Sequence, residues 1–240
     1  MDSWFEAGHV AIVTGGSKGL GKEIARELLT RGLHVLIDGR DGRLLETAAK
    51  ELRQGGDLIT IAGDVSDKEH AHALIAAARE LGRLDLLVNN ASTLGEVPLP
   101  RVDELTKGTF EHIFDVNVFA PIHLMQHALP LMQQSSIATI VNITSDAGVE
   151  AYPTWGGYGA SKAALEHISR VLAAELESPS IRVLVADPGD MNTQMHRDAI
   201  PDADPSELRN PADSARALLQ AIAEMKEPYG RVRLADLVLA

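Results

Sequence analysis

His9-Val-Ala-Ile-Val-Thr14-Gly-Gly-Ser-Lys-Gly-Leu-Gly21 decides the fold: a short apolar run ends in a glycine-rich turn, and an amphipathic run starts at once. The run His9–Thr14 is nearly continuous in aliphatic residues, the pattern of a parallel strand buried on both faces. Beyond the turn, Leu20, Ile24 and Leu28 recur every four residues, with Lys22, Glu23, Arg26 and Glu27 off the stripe, which predicts a helix. Glycines between strand and helix allow a tight bend, close approach of a pyrophosphate to the backbone, and close packing. The helix start adds free amides and a partial positive charge. A turn of this kind can also need glycine for shape alone, so the rest of the chain must decide.

Working outward, further apolar runs lie at Leu33–Asp38, Leu58–Ala62, Leu84–Val88, Ile137–Ile143 and Ile181–Ala186, with helical patterns between them. One such pattern runs from Ser161 through Ala164, Leu165, Ile168, Leu172 and Leu176. Strand–helix alternation of this kind predicts a single α/β domain over 1–240, with a doubly wound, mostly parallel sheet of about seven strands and helices on both faces. The stretch from about 190 to 211, with Pro201, Pro205 and Pro211, reads as a loop, and a loop that long suggests a substrate lid. Against 22 lysines and arginines stand 34 aspartates and glutamates, a formal charge of −12 that disfavours nucleic acid and anionic membrane surfaces. The absence of cysteine removes thiolate catalysis, disulfides and cysteine metal sites. With no signal-like N-terminus and no spanning apolar run, the expectation is a cytoplasmic protein.

Chemistry enters at Tyr158-Gly-Ala-Ser-Lys162, where a phenol and an ammonium share one helix face. Free tyrosine holds its proton to about pH 10, and a nearby lysine cation favours the phenolate. Such a pair suits proton transfer, although the spacing alone also occurs on ordinary exposed faces.

Several segments in order resemble the short-chain dehydrogenase/reductase family. They are the T-G-x-x-x-G-x-G turn at Thr14–Gly21, Asp64-Val65, Asn89-Asn-Ala-Ser92 with serine where the family has glycine, and Asn117 in Asp-Val-Asn-Val. Ser145, 13 residues before Tyr158, and Pro188-Gly189 with Thr193 complete the set. The resemblance implies a hydride-transferring oxidoreductase acting on a small carbonyl or alcohol. Tyr158 would be its acid/base, and Ser145 would hold the substrate oxygen. Lys162 would lower the phenol and hold the nicotinamide ribose, and Asn117 would position a relay water. It implies cofactor contacts from Gly15, Ser17, Lys18, Gly19, Leu20, Gly21, Arg40, Asp64, Val65, Asn90, Ala91, Tyr158, Lys162, Pro188, Gly189, Met191 and Thr193. Homodimers or homotetramers are also implied. A dinucleotide sensor without catalysis, or an enzyme using bound cofactor for epimerisation or elimination, is the alternative.

Cofactor choice turns on Val35-Leu-Ile-Asp38-Gly39-Arg40. In the resemblance, Gly39 takes the place of the acid that binds ribose hydroxyls, and Arg40 with Lys18 suits a 2′-phosphate, which favours NADP(H). An alignment shifted by one residue would make Asp38 an NAD-type acid. For substrate, Ser145, Tyr152, Trp155 and Tyr158 are the candidates, with Thr93, Leu94, Met191 and Met195 as further wall residues and Asp146 and Asp190 as nearby acids. Asn90–Gly95 and Tyr229–Leu234 are similar to sepiapterin reductase, and bacterial carbonyl reductases resemble the chain about as well. His123 and His127, four apart, could share a metal, but without a third ligand in view packing is the expectation and no metal is assigned.

Overall fold

A strand that must bury both faces needs a helix layer on each side, and the chain supplies them alternately. The computed structural model describes residues 4–237. In chain order it contains β1 (Val10–Val13), α1 (Gly19–Thr30), β2 (His34–Gly39), α2 (Gly42–Leu52), β3 (Leu58–Ala62), α3 (Lys68–Glu80), β4 (Leu86–Asn89) and α4 (Lys107–Phe114). There follow α5 (Ala120–Met132), β5 (Ala138–Ile143), α6 (Gly156–Glu175), β6 (Ile181–Asp187), α7 (Gln194–Ala199), α8 (Pro211–Glu224) and β7 (Tyr229–Arg233). The sheet runs β3-β2-β1-β4-β5-β6-β7 and every pairing is parallel.

Alternate strand residues enter opposite cores. Ala11, Val13, Val35, Ile37 and Val88 pack with Leu20, Ile24 and Leu28 of α1, Leu45 of α2 and Leu218 of α8. Val10, Ile12, Leu36 and Leu87 pack with Leu74 and Ile75 of α3 and Leu124 and Met125 of α5. Strand order reverses between β1 and β4, so the loops after these strands part and leave a crevice at the carboxyl edge.

Three local features differ from the expectation. The stretch 190–211 is not irregular throughout: Thr193 Oγ1 accepts the His196 amide and starts α7, and Met191 bridges Arg209 in parallel. Asn117 sits in a π-helical turn, Asp115–Phe119, between α4 and α5. The buried residues of α6 include Tyr158, Lys162, Glu166 and Ser169, a polar stripe, whereas Ile168, Leu172 and Leu176 are only partly buried. The C-terminal segment does supply a seventh strand, although 238–240 lie outside the described residues. No described helix is long and apolar enough to cross a membrane.

Candidate active site

The glycine-rich turn is shaped from both neighbouring strands. Gly15 has φ +68°, a left-handed conformation that favours glycine, and its amide donates to Asp38 Oδ1 at 2.6 Å. A Cβ on Gly21 would lie 2.5 Å from the Gly15 carbonyl oxygen and equally close to Asn90 Nδ2, so only glycine fits. Asn90 clamps the turn to the β4 side: Nδ2 donates to the Thr14 carbonyl at 2.8 Å, while the Asn90 and Ala91 amides donate to Thr14 Oγ1 at 3.0 Å. Helices α2, α3, α4, α7 and α8 begin on side-chain caps from Asp41, Asp67, Thr106, Thr193 and Asn210. No side chain caps α1, and Lys18, Gly19 and Leu20 at its start line the crevice.

A cavity of about 400 Å³ fills that crevice. Among the expected cofactor residues, Gly15, Ser17, Lys18, Gly19, Leu20, Arg40, Asp64, Val65, Asn90, Ala91, Tyr158, Lys162, Pro188, Met191 and Thr193 line it. Gly21 and Gly189 instead set the turns beneath. Val116, Ile143, Thr144, Asn192, Gln194 and Arg197 also line it and escaped the sequence reading. Arg197 reaches the wall from α7, a helix the sequence pattern did not reveal, and Ile143 and Thr144 read only as strand core.

At the end of the cavity beside β2, Arg40 is exposed, with Nη1 3.9 Å from Asp64 Oδ2. Burial raises the Asp64 carboxyl, but the Ser66 amide and hydroxyl, Arg40 and His112 together hold it below its ordinary value. Asp38 is 1% exposed, and its Oδ2 meets His70 Nε2 at 3.0 Å while Oδ1 takes the Gly15 amide. Both carboxylate oxygens are therefore engaged within the protein. Gly39 is equally constrained, since a Cβ there would meet Ser17 Oγ at 3.1 Å.

At the other end stand Tyr158 and Lys162, both buried. Lys162 Nζ donates to the Ile143 carbonyl at 2.9 Å and lies 5.4 Å from the phenol ring centroid. Burial pulls its pKa down to about 8. The expected lowering of the phenol by this ammonium is not what the structure shows. Burial pushes Tyr158 above its ordinary value; the Ser92 hydroxyl opposes this, Asp187 adds to it, the Ser145 hydroxyl opposes it, and Asp146 adds further.

Ser145 follows β5 by two residues and caps a short 3₁₀ turn. Its Oγ accepts the Ala147 amide at 3.2 Å and donates to Asp146 Oδ1 at 3.0 Å. Tyr152 donates to Asp146 Oδ2 at 3.0 Å, but at 45% exposure it stands on the rim and not in the wall. Trp155 packs edge-on against Tyr158 at 5.7 Å between centroids. Leu94, Ala147 and Tyr158 form a separate apolar cluster with Leu99, Trp155, Met195 and Ala199.

Asn117 is buried, and its amide has four partners. Nδ2 donates to the Thr93 carbonyl at 2.9 Å and Ser161 Oγ at 3.0 Å, while Oδ1 accepts the Thr93 amide at 2.8 Å and the Ser92 hydroxyl at 3.0 Å. A side chain so engaged has no group left to position a water. Glu166, one turn past Lys162 and unremarked in the sequence, accepts from Thr144 Oγ1 at 2.7 Å and from Arg231 Nε at 3.0 Å. It thereby ties β5, α6 and β7 together. His127 meets His72, not His123, with 3.0 Å between Nε2 atoms, and no group of three metal-ligating side chains forms among the described residues.

Residues 9–204 match the model of the short chain dehydrogenase family. A Pseudomonas aeruginosa rhamnolipid-biosynthesis 3-oxoacyl-[acyl-carrier-protein] reductase is 39% identical over 197 residues, covering 80% of this chain and 76% of that one. The P. aeruginosa RhlG/NADP active-site complex superposes with a TM-score of 0.84 at 33% identity over 97% of each chain. A short chain dehydrogenase from Shigella flexneri 2a complexed with NADP gives 0.87 at 28% identity, covering 96% of this chain and 98% of that one. Glycine-rich turn, buried tyrosine–lysine face and seven-stranded parallel sheet thus occur together in a chain that belongs to the short-chain dehydrogenase/reductase family of oxidoreductases.

Proposed function

We propose that this chain is an NADP(H)-dependent oxidoreductase that interconverts a carbonyl and an alcohol, with Tyr158 as general acid/base. The observation that carries the reading is the single cavity joining Lys18 and Arg40 to Tyr158 and Lys162. Its donor set fits a dinucleotide: uncapped α1 amides suit the pyrophosphate, and cations suit a further phosphate. When bound, the cofactor supplies or accepts the hydride. For reduction, Tyr158 gives its phenolic proton to the carbonyl oxygen while Ser145 holds that oxygen. Lys162 would hold ribose hydroxyls beside the phenol, and its ammonium, 5.4 Å from the ring centroid, would support the phenolate left behind. The preference for NADP(H) over NAD(H) rests on Arg40 and Lys18, and on an Asp38 whose carboxylate already serves Gly15 and His70. The NADP bound in two solved relatives supports the same choice.

The apolar cluster of Leu94, Leu99, Trp155, Met195 and Ala199 beside Tyr158 suits an aliphatic carbonyl. The 3-oxoacyl specificity of the similar Pseudomonas reductase points the same way. In this reading the 190–211 stretch is the substrate lid, with Met195 on α7 as its inner surface. The enzyme works in the cytoplasm as a homodimer or homotetramer.

The test is NADPH consumption with ethyl acetoacetate, acetoacetyl-coenzyme A, aldehydes and a pteridine, comparing the wild type with Tyr158→Phe. The substitution should lower kcat about 10²–10⁴-fold while NADPH binding survives. Turnover retained in Tyr158→Phe, or no turnover by the wild type across the panel, overturns the reading.

A further inference from the structure

Ser92 is the site residue at which this chain departs from the family's N-N-A-G segment. Its side chain lines the same cavity as Tyr158 and Lys162. We propose that Ser92 is a positioning residue for Tyr158: its hydroxyl, held in place by Asn117, offers the phenolic oxygen a second hydrogen-bond partner beside Ser145. The inference rests on the reading of Tyr158 as general acid/base.

A chain of bonds ties Ser92 to the backbone of Tyr158. Ser92 Oγ donates to Asn117 Oδ1 at 3.0 Å, Asn117 Nδ2 donates to Ser161 Oγ at 3.0 Å, and Ser161 Oγ donates to the Tyr158 carbonyl at 2.6 Å. The loop after β4 is thus bolted to the very turn of α6 that carries the phenol. Asn117 also holds both the amide and the carbonyl of Thr93, so the backbone next to Ser92 has little freedom. Glycine at this position could keep the Thr93 contacts but would offer no hydroxyl.

The exchange needs no new covalent step. While Tyr158 is protonated, Ser92 donates to Asn117 Oδ1, and its own oxygen can accept from the phenol. Once the phenolic proton has gone to the carbonyl oxygen, the Ser92 O–H rotates toward the phenolate. Asn117 Oδ1 keeps the Thr93 amide, so nothing buried is orphaned by the rotation. The serine proton stays on the serine throughout. Burial resists ionisation of the phenol, and the Ser92 hydroxyl is the first group acting against that resistance.

Two measurements test this. The protein has three tyrosines, so Tyr152→Phe/Tyr229→Phe leaves Tyr158 as a single ¹³Cζ NMR signal. Ser92→Ala in that background should move the signal at neutral pH without any cofactor or substrate. The second is the pH dependence of kcat for ethyl acetoacetate reduction by NADPH. Losing a donor to the phenolate should move the high-pH limb upward by about one unit and lower kcat about tenfold, with little change in KM. Lys162 on α6, Asp146 after β5 and Asp187 on β6 also face the phenol and are unaltered by the substitution. Ser92→Gly should behave as Ser92→Ala, because both lack the hydroxyl, whereas Ser92→Thr should retain the wild-type limb. An unmoved ¹³Cζ signal together with an unmoved limb overturns the proposal, even where Tyr158→Phe is inactive. If Tyr158→Phe remains active, the reading of the acid/base fails first, and the inference falls with it.

Discussion

Arg40→Ala isolates the interaction on which cofactor preference depends. The guanidinium is 63% exposed, and the acid near it, Asp64, is 3.9 Å away, too distant for a strong competing bond. A hydrogen bond to a charged group contributes about 1.5–3 kcal/mol, and exposure to solvent places this one toward the lower end, about 1–2 kcal/mol. At 1.4 kcal/mol per decade, removal should weaken NADPH binding about 5–30-fold. NADH carries no 2′-phosphate, so its dissociation constant should stay within about a factor of two, the scatter expected for an exposed substitution. Lys18 remains in the wall and keeps part of the phosphate attraction, so the loss is partial.

The assay is fluorescence titration of both reduced dinucleotides against wild type and variant at two ionic strengths. Raising salt from about 0.05 to 0.5 M should shrink the wild-type preference, because a pair this exposed is screened. It should shrink the variant's smaller preference less, because Lys18 alone is left to be screened. Equal weakening of NADPH and NADH would mean that Arg40 shapes the loop and does not read the phosphate. Tighter NADH than NADPH binding in the wild type would refute the assignment at its root.

Two further substitutions probe the frame around the site. Gly21→Ala drives a methyl to within 2.5 Å of the Gly15 carbonyl oxygen and Asn90 Nδ2, so the turn must open. Overpacking of this kind costs about 1–3 kcal/mol, and the variant should show a lower Tm and at least tenfold weaker NADPH binding; unchanged values of both would refute the close approach. Lys162→Met removes a buried ammonium whose pKa falls from 10.5 unfolded to about 8 folded. Below pH 8 both states hold the proton and the cost of burying the charge is fully present; between pH 8 and 10.5 the unfolded chain binds more protons, so wild-type stability rises with pH. The variant should therefore be about 1–2 kcal/mol more stable than wild type at pH 7, after allowing for the lost bond to Ile143, with the gain shrinking toward pH 10. Denaturation showing the variant less stable at pH 7 would refute this.

The central strands and the first helix were legible because each is decided locally. Val10–Val13 is a continuous aliphatic run, Ala138–Ile143 is one broken only by Thr139 and Asn142, every residue of both is buried, and Leu20, Ile24 and Leu28 face one core. The edge was harder. Strand β7 reads Tyr-Gly-Arg-Val-Arg, and no residue in it is fully buried; it exists because the carboxyl half of β6 offers it an unpaired ladder from Val183 to Asp187. Helix α7 is six residues long with none buried, so no apolar stripe could announce it. What starts it is the Thr193 cap, and what holds its base is the Met191–Arg209 bridge, a contact across 18 positions of sequence.

At the site the difficulty was of another kind, because the same atoms serve architecture and chemistry. Ser145 could be read as a cap for the turn after β5 or as a group that holds a substrate oxygen. The structure has it do the first, with Asp146 taking the hydroxyl proton. Asp38 is ambiguous between two alignments, and the groups that engage its carboxylate are Gly15, 23 positions earlier, and His70, 32 positions later. Neither partner is implied by any local spacing. On α6 the ambiguity is energetic: a helix that buries Tyr158, Lys162, Glu166 and Ser169 gives up a face that aliphatic residues could have filled more favourably. Glu166 is offset by Thr144 and Arg231, and Ser169 donates to the Leu165 carbonyl and accepts from Asn142. Among the described residues Lys162 has one hydrogen-bond partner, the Ile143 carbonyl, and burial lowers its pKa. On the proposed function, a bound ligand's hydroxyls would add partners to this buried cation beside the phenol.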